Sequence, residues 1–198
     1  MKVKIELLSD TIFGSGISVP GAEDISIQYD SDGFPYLKGS TFRGVFKQEF
    51  INYLYWIDED TEKNYIIVEK LFGKIGYADS IANDEDYIDK KLKISDFNIS
   101  DNIKKIILSS DNINSEEILA SLTYIRTFTS IENSGISKIG SLRNARCIKK
   151  GLIFLGDIDV DESYEELVSE VLKCIKWLGS MRTRGFGNVK ISVAGGID

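Results

Sequence analysis

The chain has 198 residues, 42% of them hydrophobic and 28% charged, with a formal net charge of −7, which suits one soluble globular domain with a substantial core. It contains no histidine, which excludes Ser-His and Cys-His nucleophile pairs, His-ligated metals and imidazole acid–base catalysis. The two cysteines, Cys147 and Cys174, make neither a disulfide framework nor a zinc site, and no run reaches the roughly 18–20 apolar residues of a membrane span, so a cytoplasmic protein with no membrane partner is expected.

Val3, Ile5 and Leu7 alternate with Lys2, Lys4 and Glu6, which predicts a half-buried strand over 2–8. A long loop with several glycines runs from Asp10 to Pro35, and loops of that length in compact domains are usually functional. Ser40 then stands where it could cap a helix whose apolar set is Phe42, Val45, Phe46, Phe50, Tyr53 and Leu54. Residues 57–91 read as an irregular acidic insertion, leading to a short strand over 92–97, and 98–121 as a linker with weak helical content. Thr123 to Glu132 reads as extended, Asn133-Ser134-Gly135 as a turn, and 152–158 as a core strand. Ser163 and Glu166 match a capping box ahead of a helix buried through Leu167, Val168, Val171, Leu172, Ile175 and Leu178, and a last strand lies near 188–194. The order strand, helix, strand, strand, helix, strand is the ferredoxin-like pattern of an α+β protein.

Charge is unevenly spread. Residues 102–156 carry 8 basic and 4 acidic side chains, whereas 57–101 carry 6 and 12. Screening confines electrostatic reach to about 8–10 Å, so local basic patches govern phosphate binding despite the net acidity. Lys138 to Lys150 holds five basic residues and no acid, and the most informative segment is Arg182-Thr183-Arg184-Gly185-Phe186-Gly187, between a helix and a strand. Arginine forks, glycine backbone and one aromatic face together suit single-stranded nucleic acid. Lys38, Gly39 and Ser40 at a helix start, extended by Arg43 and Lys47, make a second candidate phosphate site.

Four ordered segments resemble the RAMP superfamily, the repeat-associated proteins of CRISPR effector complexes, and in particular a small backbone subunit of a type III complex. They are Gly21-Ala22-Glu23-Asp24 after the first strand; Phe34 to Gly44; Leu71-Phe72-Gly73 ahead of Ser95-Asp96; and the loop Arg182 to Gly187. The resemblance spans nearly the whole chain as a single domain, 1–198. It implies a ferredoxin-like, RRM-like palm with a β-hairpin thumb near 130–147, carrying Lys138, Arg143 and Arg146. It also implies binding to CRISPR guide RNA and complementary target RNA, alongside other copies of the chain and other effector-complex subunits. Asp24 falls where cleaving members carry an aspartate, which implies endoribonuclease activity with Mg²⁺ held by Asp24. A purely structural RNA-binding subunit is the alternative. A guide-processing endoribonuclease fits less well, since those usually have two ferredoxin-like units and often a histidine, and a small-molecule-sensing domain leaves the cations unexplained.

Overall fold

The structure, a computed structural model, describes residues 1–58, 60–73, 92–110, 113–131, 135–138 and 140–194. Most of the acidic stretch expected within 57–91, and the turn residues Asn133 and Ser134, lie outside them.

Strand β1 (Lys2–Leu7) is central in a four-stranded sheet of order β2-β5-β1-β6, formed with β2 (Lys93–Ile94), β5 (Ile153–Asp159) and β6 (Val189–Ala194). Both neighbours of β1 run antiparallel to it, with Ile5 opposite Phe154 on one side and Ile191 on the other. This is the ferredoxin-like topology, and the period-2 pattern builds it directly. Val3, Ile5, Leu7, Phe154, Ile158, Val189 and Ile191 point into one core, while Lys2, Lys4 and Glu6 stay on the opposite face.

Helix α1 (Gly39–Ile57) closes that core with Phe42, Phe46, Phe50 and Leu54, spaced at i, i+4, i+8 and i+12. Phe42 packs on Phe97 with ring centroids 4.7 Å apart, and Phe46 and Phe50 pack on Phe72 at 5.7 and 5.4 Å. Helix α5 (Glu165–Cys174) adds Val168, Val171 and Leu172. It ends four residues before Leu178, so Ile175 and Leu178 reach the core from irregular chain instead. Its cap also differs from the expected box. The Asp161 carboxylate accepts from the Ser163 amide at 3.1 Å, and a 3-10 turn, Glu162–Tyr164, leads into the helix.

One expectation of irregular chain is corrected, and one of weak helical content is made definite. Part of the acidic insertion is helix α2 (Thr61–Phe72), capped by Asp60 and anchored by buried Val68, Leu71 and Phe72. The expected linker contains α3 (Asp101–Leu108) and α4 (Ser115–Leu122), the latter started by a capping box between Asn114 and Glu117. After α4, β3 (Thr123–Phe128) and β4 (Arg143–Ile148) pair antiparallel as a separate hairpin, Thr123 opposite Ile148 and Phe128 opposite Arg143.

The start of α1 differs most from expectation. Lys38, in extended conformation, is the cap residue, and Ser40 makes no capping bond. The Asp96 carboxylate accepts from the Gly39 amide at 2.8 Å, reaching over from the chain after β2. A negative charge is well placed at that positive helix end. Gly39 is buried there, and a Cβ on it would lie 2.5 Å from the carbonyl oxygens of both Ile94 and Ser95. Gly39→Ala should therefore lower unfolding free energy by about 1–3 kcal/mol through overpacking, read as a reduced urea midpoint at unchanged slope. Full stability in that variant would mean the helix start has room to spare.

Candidate nucleic-acid interface

The residues singled out by sequence divide into two groups once their partners are seen. Arg43 turns back into the fold. Its guanidinium donates to the Leu92 carbonyl and, at 3.1 Å, to the Phe72 carbonyl at the end of α2, and it lies over the Phe72 ring at 5.6 Å. That satisfies a helix C-terminus that would otherwise lack donors. With Asp96 on the Gly39 amide, the place expected for a phosphate at the start of α1 already holds a carboxylate. Lys38 and Ser40 remain exposed beside it, and Lys47 is half-buried one turn beyond Arg43.

Gly187 is likewise architectural. Its amide donates to the Asp10 carbonyl at 2.9 Å, its carbonyl accepts from the Leu178 amide at 2.8 Å, and a Cβ would meet the Leu178 oxygen at 2.0 Å. The amides of Arg184 and Gly185 close a 3-10 turn, Arg182–Arg184, by donating to Met181 and Arg182. The expected nest of free amides is thus largely consumed within the loop. Gly185 has φ of +84° with nothing within 4 Å of a would-be Cβ, so this exposed point of the loop is open to a ligand's approach. Arg182 and Arg184 are exposed, whereas Phe186 is buried and offers no free ring to a base.

Phe186 instead builds a cluster with the hairpin. Its ring meets Phe128 of β3 edge-on, centroids 5.7 Å apart. Arg126 lies over both rings, at 5.5 Å from Phe128 and 5.2 Å from Phe186, and Arg184 lies over Phe128 at 5.5 Å. Arg126, Thr127, Phe128, Thr129, Arg184 and Phe186 line a cleft of about 610 Å³ that also reaches Ser130 and Ile131. Among the described residues neither guanidinium has a carboxylate within ion-pair distance. Sequence reasoning missed Arg126 and Phe128, which sit within a stretch read only as extended. The available signal was their i, i+2 spacing, which puts both on one face of the strand.

The hairpin's other basic residues differ among themselves. Lys138 and Arg143 are exposed near its tip, with Arg143 donating to the Leu142 carbonyl at 2.9 Å. Arg146 points inward, with Nε donating to Glu23 Oε1 at 2.7 Å and Nη1 to Thr123 Oγ1 at 3.0 Å. Asp24 is exposed on the loop edge beside β4, and its Oδ2 accepts from the Asn144 amide at 2.8 Å.

A family model described as the RAMP superfamily matches residues 4–190. The chain belongs to the RAMP superfamily. Its fold is similar to a chain of the type III-B Cmr-β complex bound to cognate target RNA, with TM-score 0.64, 13% identity, and coverage of 96% of this chain and 95% of that one. The apo Cmr-β complex holds a similar chain, with TM-score 0.67, 13% identity and coverage of 98% and 96%. A chain of a type IV-B CRISPR complex is similar at TM-score 0.59 and 13% identity, covering 100% of this chain and 91% of that one. No curated protein matches. Among the described residues no helix is long and apolar enough to cross a membrane.

At the hairpin base, the Tyr124 hydroxyl donates to Asp10 Oδ2 at 2.7 Å. Burial, then this bond, pushes the Tyr124 phenol up to about 12, and burial, then the Asp10 charge, pushes the Cys147 thiol up to about 11. Both protonated forms are favoured by folding, so their contribution is complete below the unfolded values of about 8.5 and 10 and is lost as pH climbs through the folded values. The melting temperature should fall between about pH 8.5 and 12. Cys147→Ala should flatten the early part of that fall, as followed by circular dichroism, and an identical profile would sink the assignment.

Proposed function

We propose that this RAMP protein is an RNA-binding subunit of a CRISPR effector complex, holding guide RNA across the cleft between the Gly-rich loop and the hairpin. One observation carries the reading: Arg126 and Arg184 both stand over the Phe128 ring at the lining of an open cleft, with no acidic partner among the described residues. Two like charges brought onto one ring call for an anion, and a ring face takes up no N–H donor of its own, so such donors can serve phosphate oxygens. The fold's similarity to chains of type III-B and type IV-B assemblies supports a setting in which other copies of the chain and other subunits share the RNA. Arg182, Gly185, Lys138 and Arg143 extend the exposed basic track. Replacing Arg126 and Arg184 by Ala should weaken binding to RNA of any sequence and reduce the log–log salt slope by about 0.7 per lost phosphate contact. A titration of single-stranded RNA across salt concentrations reads this directly, and an unchanged slope would remove the cleft from the RNA path.

The finer part of the proposal is cleavage of target RNA at Asp24. Mg²⁺ commonly takes one or two carboxylates and completes its shell from substrate phosphates and water. Asp24 is exposed and fits as one such ligand, whereas Glu23 is buried against Arg146 and does not. Among the described residues no three His, Cys, Asp or Glu side chains are grouped to hold an ion, so Asp24 would hold it jointly with RNA. When bound, the ion offsets negative charge on the phosphate oxygens. The Asn144 amide on Oδ2 fixes the carboxylate's direction. A target 2′-oxygen, its proton taken up by Asp24 or water, attacks the adjacent phosphorus in line and the bond to the 5′-oxygen breaks. The departing 5′-oxygen takes a proton from water, leaving a 2′,3′-cyclic phosphate and a 5′-hydroxyl.

A second reading, a subunit that binds without cutting, draws on the same Asn144 bond, which already occupies one carboxylate oxygen. In the assembled complex with Mg²⁺, Asp24→Ala should abolish cutting of guide-complementary RNA while leaving target affinity within about threefold, since one carboxylate adds little to a phosphate-dominated interface. Cutting that survives in Asp24→Ala would defeat the catalytic reading, and no cutting by the unmodified assembly would favour the second.

A further inference from the structure

We infer that Glu23 and Arg146 form a buried brace that fixes the Asp24 carboxylate on the hairpin, so that both are positioning residues and Arg146 is not an RNA contact. The inference rests, for its catalytic arm, on Asp24 being the cleaving group. All three guanidinium nitrogens of Arg146 are engaged inside the protein. Nε and Nη2 both meet Glu23 Oε1, and Nη1 donates to Thr123 Oγ1. Glu23 is 6% exposed and Thr123 is 1% exposed, and the Arg146 side chain, 16% exposed, directs its guanidinium at these two inward partners.

The pair flanks a short backbone zipper. The amides of Asp24 and Ile25 both donate to the Asn144 carbonyl, at 2.8 and 3.1 Å, and the Arg146 amide donates to the Ile25 carbonyl at 3.0 Å. The Asn144 amide returns a bond to Asp24 Oδ2 at 2.8 Å. Asp24 is thus docked as an added edge on β4, and its side-chain direction follows the hairpin. The ion pair supplies the side-chain lock on that edge. Glu23 Oε2 is buried with no hydrogen-bond partner among the described residues, where Arg146 provides this carboxylate's hydrogen bonding through a single oxygen. Removing either partner alone strands a buried charge, which is strongly destabilising, whereas replacing both by apolar groups of similar volume is usually tolerated.

The test therefore compares the double variant Glu23→Leu with Arg146→Met against the parent, both assembled with guide RNA. The single-turnover cutting rate should fall about tenfold or more, because small misplacements of a reacting group are costly, while target Kd and the salt slope stay unchanged. Glu23→Gln, which keeps an acceptor oxygen for Arg146, should retain the rate within about threefold. A salt slope reduced by about 0.7 in the double variant would place Arg146 on a phosphate and overturn the inference; so would an undiminished cutting rate. If the parent itself does not cut, the catalytic reading fails alone, and hydrogen exchange decides the brace. Protection of the Asn144 amide should drop in the double variant while that of Tyr124 in the hairpin ladder persists, and equal protection at Asn144 would overturn the inference.

Discussion

Three residues just after the first strand join the parts on which the interface depends. Asp10 accepts the Gly187 amide on its carbonyl, and its carboxylate takes the Tyr124 hydroxyl and the Lys150 amide. Thr11 pairs with Ile148 through two bonds of 2.9 and 2.7 Å, and the Ile12 carbonyl accepts the Ser180 amide at 3.0 Å. Palm, hairpin and Gly-rich loop therefore meet at one buried strut continuous with the central strand. Because the strut is main-chain bonded on both sides, the separation of Phe128 from Phe186 is set by the palm and not by the loop's own preferences.

That constraint explains how two guanidiniums come to share the Phe128 ring. Each cation–ring contact is worth roughly 0.5–2 kcal/mol, enough to offset part of the repulsion between two arginines screened by water. Arg184 and Phe186 arrive on a loop whose turn consumes its own amides, so binding capacity rests on side chains. Met181, at φ of 58°, is the one non-glycine residue with positive φ among the described residues, and it opens that turn. Strain of this kind persists only where surrounding contacts over-determine it. The neighbouring Ser180 bond to Ile12 supplies one such contact.

The palm was legible because its strands and two main helices each bury one face, and a buried face leaves a period of 2 or 3.6 in the sequence. Val3-Ile5-Leu7 and Phe42-Phe46-Phe50 are of this kind. Helix α3 was only faintly legible for the opposite reason. Ile103, Ile106 and Ile107 follow helical spacing, which supported only weak helical content because the helix is eight residues long, has no fully buried residue and leaves Ile103, Ile106 and Leu108 exposed. Helix α2 was hidden by acidic residues on its outer side, although Val68, Leu71 and Phe72 follow helical spacing. The capping errors share one cause. Ser40 and Ser163 are good local caps, but the Gly39 amide is taken by the Asp96 carboxylate from 57 residues away, and Asp161 caps the 3-10 turn that precedes α5.

The arginines mark where sequence reading stops. Arg43, Arg126, Arg146 and Arg184 are the same chemistry in similar local settings, and only their partners separate them. Arg43 and Arg146 spend their donors on carbonyls, a hydroxyl and a buried carboxylate, so they hold the fold. Arg126 and Arg184 meet ring faces, which attract the cation without saturating its N–H groups. A strand position pairs with a residue some sixty positions later only through the strut at residues 10–12, and no local pattern encodes that meeting. This also resolves the acidic net charge. With the charged brace turned inward, and Arg126 and Arg184 at a cleft with no carboxylate within ion-pair distance among the described residues, the local potential at that cleft is set within one screening length of these two guanidiniums.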